Sequence, residues 1–154
     1  LCKSKGYTIV GSDKSAQREA VAKEMPQLDL LKARLLFDGG RFQRAYDLLK
    51  QKKPADFFSG KNQLEFTYRL GRITHKLDRF DEALRHYQQT IDQGKNEPWY
   101  YACRAALEKG HIYEQQRKTS EAKAAFQLCL SMKPEDHRTG LHQQAKAGLK
   151  RLKS

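Results

Sequence analysis

The sequence predicts an all-α protein arranged as an α-solenoid of antiparallel helix pairs. Three observations point there. Apolar residues recur at three- and four-residue steps, as at Leu28, Leu31, Leu35 and Leu36, and again at Phe66, Leu70, Ile73 and Leu77. Short polar turns interrupt these stretches, "FDGGRF" at 37–42, "KLDRF" at 76–80 and "QRKTSEA" at 116–122. Turns that short make consecutive helices antiparallel. The chain also repeats itself. Gly71 is followed at fixed distances by Ala83 and Tyr87, and Gly110 at the same distances by Ala122 and Phe126; Ala33, Ala45 and Leu49 form a weaker upstream copy. The frame advances by 38 residues and then by 39 (33 to 71, then 71 to 110). Self-similarity at such a period marks stacked helical units.

The elements follow in order. A first helix is expected over about 13–25, after an extended or irregular stretch "GYTIVGS" at 6–12. The chain begins with Leu1 rather than Met, so residues 1–25 read as the continuation of an upstream region. Helix pairs are then expected at 26–38 with 41–53, 62–77 with 80–93, and 98–116 with 119–131. Asp38-Gly39-Gly40 supplies left-handed backbone at a helix end. Asn96 lies near a capping position with Pro98 in the first turn, and Thr119-Ser120-Glu121 offers a cap for the sixth of these pair helices. Pro134 closes that helix, and Glu135 and Asp136 favour the next N-terminus. The last helix, about 136–152, carries a narrow apolar stripe of Leu141, Ala145, Leu149 and Leu152, as a solvating cap on a repeat array does. The expected organisation is an N-terminal segment at 1–25, three helix pairs at 26–134 and a basic capping helix at 135–154.

These residues resemble a known family. "LGRIT" (Leu70, Gly71, Thr74) with "ALRHY" (Ala83, Tyr87) is similar to one tetratricopeptide repeat. "KGHIY" (Gly110, Tyr113), "AKAAF" (Ala122, Phe126) and Pro134 are similar to a second, and "KARLL" with "AYDLL" to a degenerate first. The units exceed the family's usual 34 residues. The extra residues fall in the connectors "KKPADFFSG" and "QGKNEPW", where insertion is tolerated. The resemblance implies a right-handed solenoid. It also implies that glycine and alanine let paired helices approach while Tyr87 and Phe126 fill the gap between them. It implies further that the first helix of each pair lines a concave face that binds extended peptides.

Composition narrows the function. The 154 residues carry 30 Lys and Arg against 18 Asp and Glu, a net charge of +12. Residues 97–137 hold six bases and six acids, whereas 138–154 hold five bases and no acid. Such a surface favours acidic partners. Cys2, Cys103 and Cys129 show no zinc or disulfide spacing, and Cys103 and Cys129 read as small buried hydrophobes. The five histidines include no i, i+4 pair, so no metal site is expected. No nucleotide-binding or hydrolase fingerprint is present, and Asp78, Asp81 and Glu82 read as charges at a helix start, so neither a cofactor nor catalysis is expected. No apolar stretch reaches the length of a membrane span. The protein is read as soluble, with the cytoplasm favoured and secretion left open.

The repeat frame and the resemblance together place Arg34, Tyr68, Arg72, His75, Arg104, His111 and Glu114 in a peptide-binding groove, with Leu30 and Leu107 beside them. Guanidinium groups bind carboxylates through paired hydrogen bonds and stack on aromatic rings. The expected partner is therefore another protein bearing an acidic or carboxylate-terminated segment. The bland alternative is a solvated face with intrahelical pairs such as Arg104 with Glu108. Trp99, Tyr100 and Tyr101 are expected to pack between repeats, the alternative being an exposed apolar patch for a partner or for the rest of the chain. Two other roles compete: nucleic-acid binding through the basic surface, and packing against upstream repeats or self-association.

Overall fold

The computed structural model describes residues 28–153. The sequence's expectations for Cys2, for the stretch at 6–12 and for a helix at 13–25 lie outside them. Among the described residues the regular structure is helical. Helix α1 runs through residue 38. It is followed by α2 (Phe42–Leu49), a 3₁₀ turn (Pro54–Asp56), α3 (Gly60–Lys76), α4 (Phe80–Gly94), α5 (Tyr101–Gln115), α6 (Thr119–Ser131) and α7 (Arg138–Lys153). Neighbours in sequence pack together, α3 on α4, α4 on α5 and α5 on α6, and α7 closes the row against α5 and α6. The all-helical solenoid expected from the sequence is therefore present.

The tightest packing occurs where the repeat frame demands it. Tyr87 and Phe126 are fully buried. A Cβ on Gly71 would lie 2.6 Å from the Tyr87 ring, and one on Gly110 would collide with Phe126. Ala83 and Ala122 are buried on the facing helices. A feature the sequence reading missed completes the arrangement: a Cβ on Gly148 of α7 would also lie 2.6 Å from Phe126, which is thus clamped between two glycines. Gly148 stands 38 residues after Gly110, so α7 occupies the place of a further first helix.

The turn inside each pair is built one way three times. Gly40, Asp78 and Arg117 all have positive φ, at 76°, 60° and 62°. The residues after them, Arg41, Arg79 and Lys118, donate backbone N–H bonds of 2.8, 2.9 and 2.8 Å to Leu36, Thr74 and Tyr113. These are Schellman closures. The left-handed backbone expected near Gly39-Gly40 is confirmed at Gly40, and the same conformation recurs at two positions that lack glycine.

Several helix ends differ from the sequence expectation. Helix α2 stops at Leu49 rather than near 53, because Lys53 precedes Pro54 and is extended at φ −125°, ψ 157°. Helix α5 starts at Tyr101 rather than 98: the Pro98 carbonyl accepts the Glu135 N–H at 2.8 Å and is committed to a loop. Asn96 therefore does not cap it. Thr119 does not cap α6 either, since the tight turn puts Lys118 at that position, with no side-chain cap. Ser59 is a cap the sequence reading overlooked; its hydroxyl accepts the Asn62 N–H at 3.1 Å.

Trp99 and Tyr100 are half-buried and Tyr101 is buried. They pack with Leu64 and Tyr68, so the aromatic run joins repeats as expected. Cys103 and Cys129 are buried free thiols with Sγ atoms 3.6 Å apart.

Candidate functional site

A cleft of about 500 Å³ crosses the inner face of the array. Helix α1 supplies Arg34, Phe37 and Asp38, α3 supplies Tyr68, Arg69 and Arg72, and α5 supplies Arg104. Tyr100 and the N-terminal part of α7, including Gly140 and Gln144, close the far side. Four arginines face one carboxylate, Asp38, and two tyrosine rings stand among them. First helices of successive units line the cleft because Arg34 and Arg72 each follow the small residue of their own unit.

The arginines are not equivalent. Arg69 pairs with Glu65 at 3.1 Å, and Arg104 with Glu108 at 2.8 Å. Arg72 donates to the Tyr68 hydroxyl at 3.0 Å and lies over the Phe37 ring at 5.1 Å. No carboxylate is within ion-pair distance of Arg72 among the described residues. Arg34 is exposed and likewise has no ion pair there. Two cations of the cleft thus have no ion pair among the described residues, and two are held by the protein's own acids.

Glu108 does not line the cleft but anchors one of its arginines, Arg104. It is only 7% exposed. Its carboxylate accepts from Arg104 and lies 3.6 Å from His111 Nδ1 and 3.8 Å from His75 Nδ1. Burial alone would raise its pKa, but the His111 hydrogen bond, the Arg72 charge and the Arg104 hydrogen bond hold it at about 2. Burial also depresses the His75 pKa, against the pull of Glu108. The Tyr87 hydroxyl is 3.1 Å from His75 Nδ1, and burial pushes the phenol pKa well up. A neutral imidazole accepting the Tyr87 proton fits both facts.

The seven residues expected in the groove therefore separate. Arg34, Tyr68, Arg72 and Arg104 line one cleft. His75 and His111 flank Glu108 behind it. Glu114 is tied up elsewhere, in a two-bond pair with Arg151 of α7 at 2.7 and 2.9 Å. Leu30 and Leu107, expected beside the groove, are core residues at 2% and 0% exposure. Tyr68 is buried too, and its hydroxyl is already bound to Arg72. The Arg104–Glu108 pair, weighed as the bland alternative, is formed. Asp38, Arg69, Tyr100 and the face of α7 are lining residues the sequence reading missed. Arg69 carried a signal, being an arginine beside Tyr68; the contribution of α7 required the closure of the array.

No group of metal-binding side chains exists among the described residues. No described helix is long and apolar enough to cross a membrane. No curated protein and no solved structure matches the chain. Family models of the tetratricopeptide repeat match residues 67–98 and residues 104–136. Those spans contain the two units in which an aromatic ring sits on a glycine across the helix pair. The repeat frame, the ring-on-glycine packing and the matched spans agree, and the chain carries tetratricopeptide repeats at residues 67–98 and 104–136.

Proposed function

We infer that this protein is a non-enzymatic scaffold whose cleft binds an acidic or carboxylate-terminated segment of another protein. The observation that carries the reading is the pairing state of the arginines. Arg34 and Arg72 line the cleft with no ion pair among the described residues, while Arg69 and Arg104 are anchored by Glu65 and Glu108. The anchored pair adds positive potential at fixed positions, and the unpaired pair supplies donors that a guest carboxylate can engage. Phe37 and Tyr100 give flanking apolar or aromatic residues a surface to lie on.

Titrating a panel of fluorescent acidic, neutral and basic peptides into the protein tests this. Acidic peptides should bind, and Arg34→Glu with Arg72→Glu should weaken binding at least tenfold without changing helicity. Equal binding by the double variant would exclude the cleft. The basic surface of α7, with Lys150, Arg151 and Lys153 in its last turn, favours the competing nucleic-acid reading. Binding of single-stranded RNA that falls steeply with salt and ignores both substitutions would support that reading instead.

A further inference from the structure

Two thiols that the cleft does not use face each other across the α5–α6 pair. Cys103 lies on α5 and Cys129 on α6, both buried, with their Sγ atoms 3.6 Å apart. Packing asks only for a small apolar residue at each position. It does not ask for two sulfurs in contact. The two are also not equivalent. Cys103 lines a cavity of about 270 Å³ between the connectors at 94–99 and 132–135, in company with Trp99 and Met132. Cys129 does not line that cavity. Its Sγ lies 3.9 Å from the Leu141 carbonyl of α7, and its own carbonyl lies 3.5 Å from Cys103 Sγ. The hydrogen bond between the thiols lowers the Cys103 pKa, against the opposing effect of burial, and raises that of Cys129. Cys103 is therefore both the sulfur a small molecule can meet and the one that ionises first.

We propose that Cys103 and Cys129 are a peroxide-oxidisable pair, in which Cys103 reacts with a small hydroperoxide entering the cavity and Cys129 resolves the product into a disulfide between α5 and α6. In the first step the Cys103 thiolate attacks one peroxide oxygen and the O–O bond breaks. Cys103 becomes a sulfenic acid, and the departing hydroxide takes up a proton and leaves as water. In the second step the Cys129 sulfur attacks Cys103 Sγ and the S–O bond breaks. The hydroxide released there takes the Cys129 thiol proton and leaves as a second water. The pair gives up two electrons and the peroxide accepts both. A disulfide is about 2 Å long, so closing the bond asks for a shift of about 1.5 Å between side chains already in contact. A thiol-specific reductant reverses the change.

Hydrogen peroxide added to the full chain carrying Cys2→Ser, which leaves the pair as its only thiols, tests this. The intact mass should fall by two hydrogens and recover with dithiothreitol, and a peptide map should join the segments bearing Cys103 and Cys129. In a Cys129→Ser variant, dimedone should trap a sulfenic acid on Cys103. In a Cys103→Ser variant, Cys129 should react roughly tenfold more slowly or slower still. Oxygen added to Met132 with both thiols left free would overturn the proposal, and so would Cys129 reacting as fast as Cys103. A disulfide whose rate of formation climbs with urea below the unfolding transition would overturn it equally, because the pair would then react only in opened chains.

Discussion

Glu108 is the residue whose chemistry departs furthest from its sequence context. In sequence it is an ordinary acid four residues after an arginine. In the fold, α3 brings His75 and Arg72 to it, and its carboxyl is held at about 2 against an ordinary 4.5. A depressed carboxyl stabilises the folded state above pH 4.5, and that contribution disappears as pH falls towards 2. The size is about 3 kcal/mol. Urea unfolding of wild type and Glu108→Gln should therefore differ by about that much at pH 7 and converge near pH 2; a gap that does not change with pH would refute it. The Arg104–Glu108 spacing was visible in the sequence. The burial that gives it weight was not, because it depends on three side chains from another helix and another turn. Phe126 was legible for the opposite reason: its partner Gly110 lies in the same repeat frame. Truncating it to Ala should cost about 3–5 kcal/mol.

At the scale of elements, the three left-handed turns give a sharper test than any contact. A Cβ on Gly40 meets nothing within 4 Å. Gly40→Ala should still cost about 1 kcal/mol, all of it backbone strain. Arg117 already bears that strain at φ 62°, so Arg117→Gly should raise stability by about 1 kcal/mol. Chemical denaturation of both variants checks the pair of opposite signs. Helix α7 has its own test: Gly148→Val forces a side chain into Phe126 and should destabilise by about 1–3 kcal/mol. The existence and order of the helices from α1 to α7 were readable because amphipathic periodicity and turn residues are local. The starts of α5 and α6 were not. Pro98 and Thr119 look like helix-start residues, but a hydrogen bond to Glu135 and a tight turn at Arg117 decide those positions.

At the scale of the molecule, the repeat frame accounts for the fold and only part of the cleft. One arginine per first helix could be read from the frame at Arg34 and Arg72. The wall provided by Tyr100 and α7 could not, since it exists only after the row of helices has curved round. The cleft joins α1 at one end of the described row to α7 at the other. A row in which each unit touches mainly its neighbours adds up small rotations from junction to junction, so the distance between its ends is its softest dimension. On the proposed reading, a segment held by Arg34 on one side and by Gln144 on the other would act as a bowstring. The curvature of the occupied protein would then be set by the length and stiffness of its guest, and two guests of different length would leave the same chain bent to two different radii.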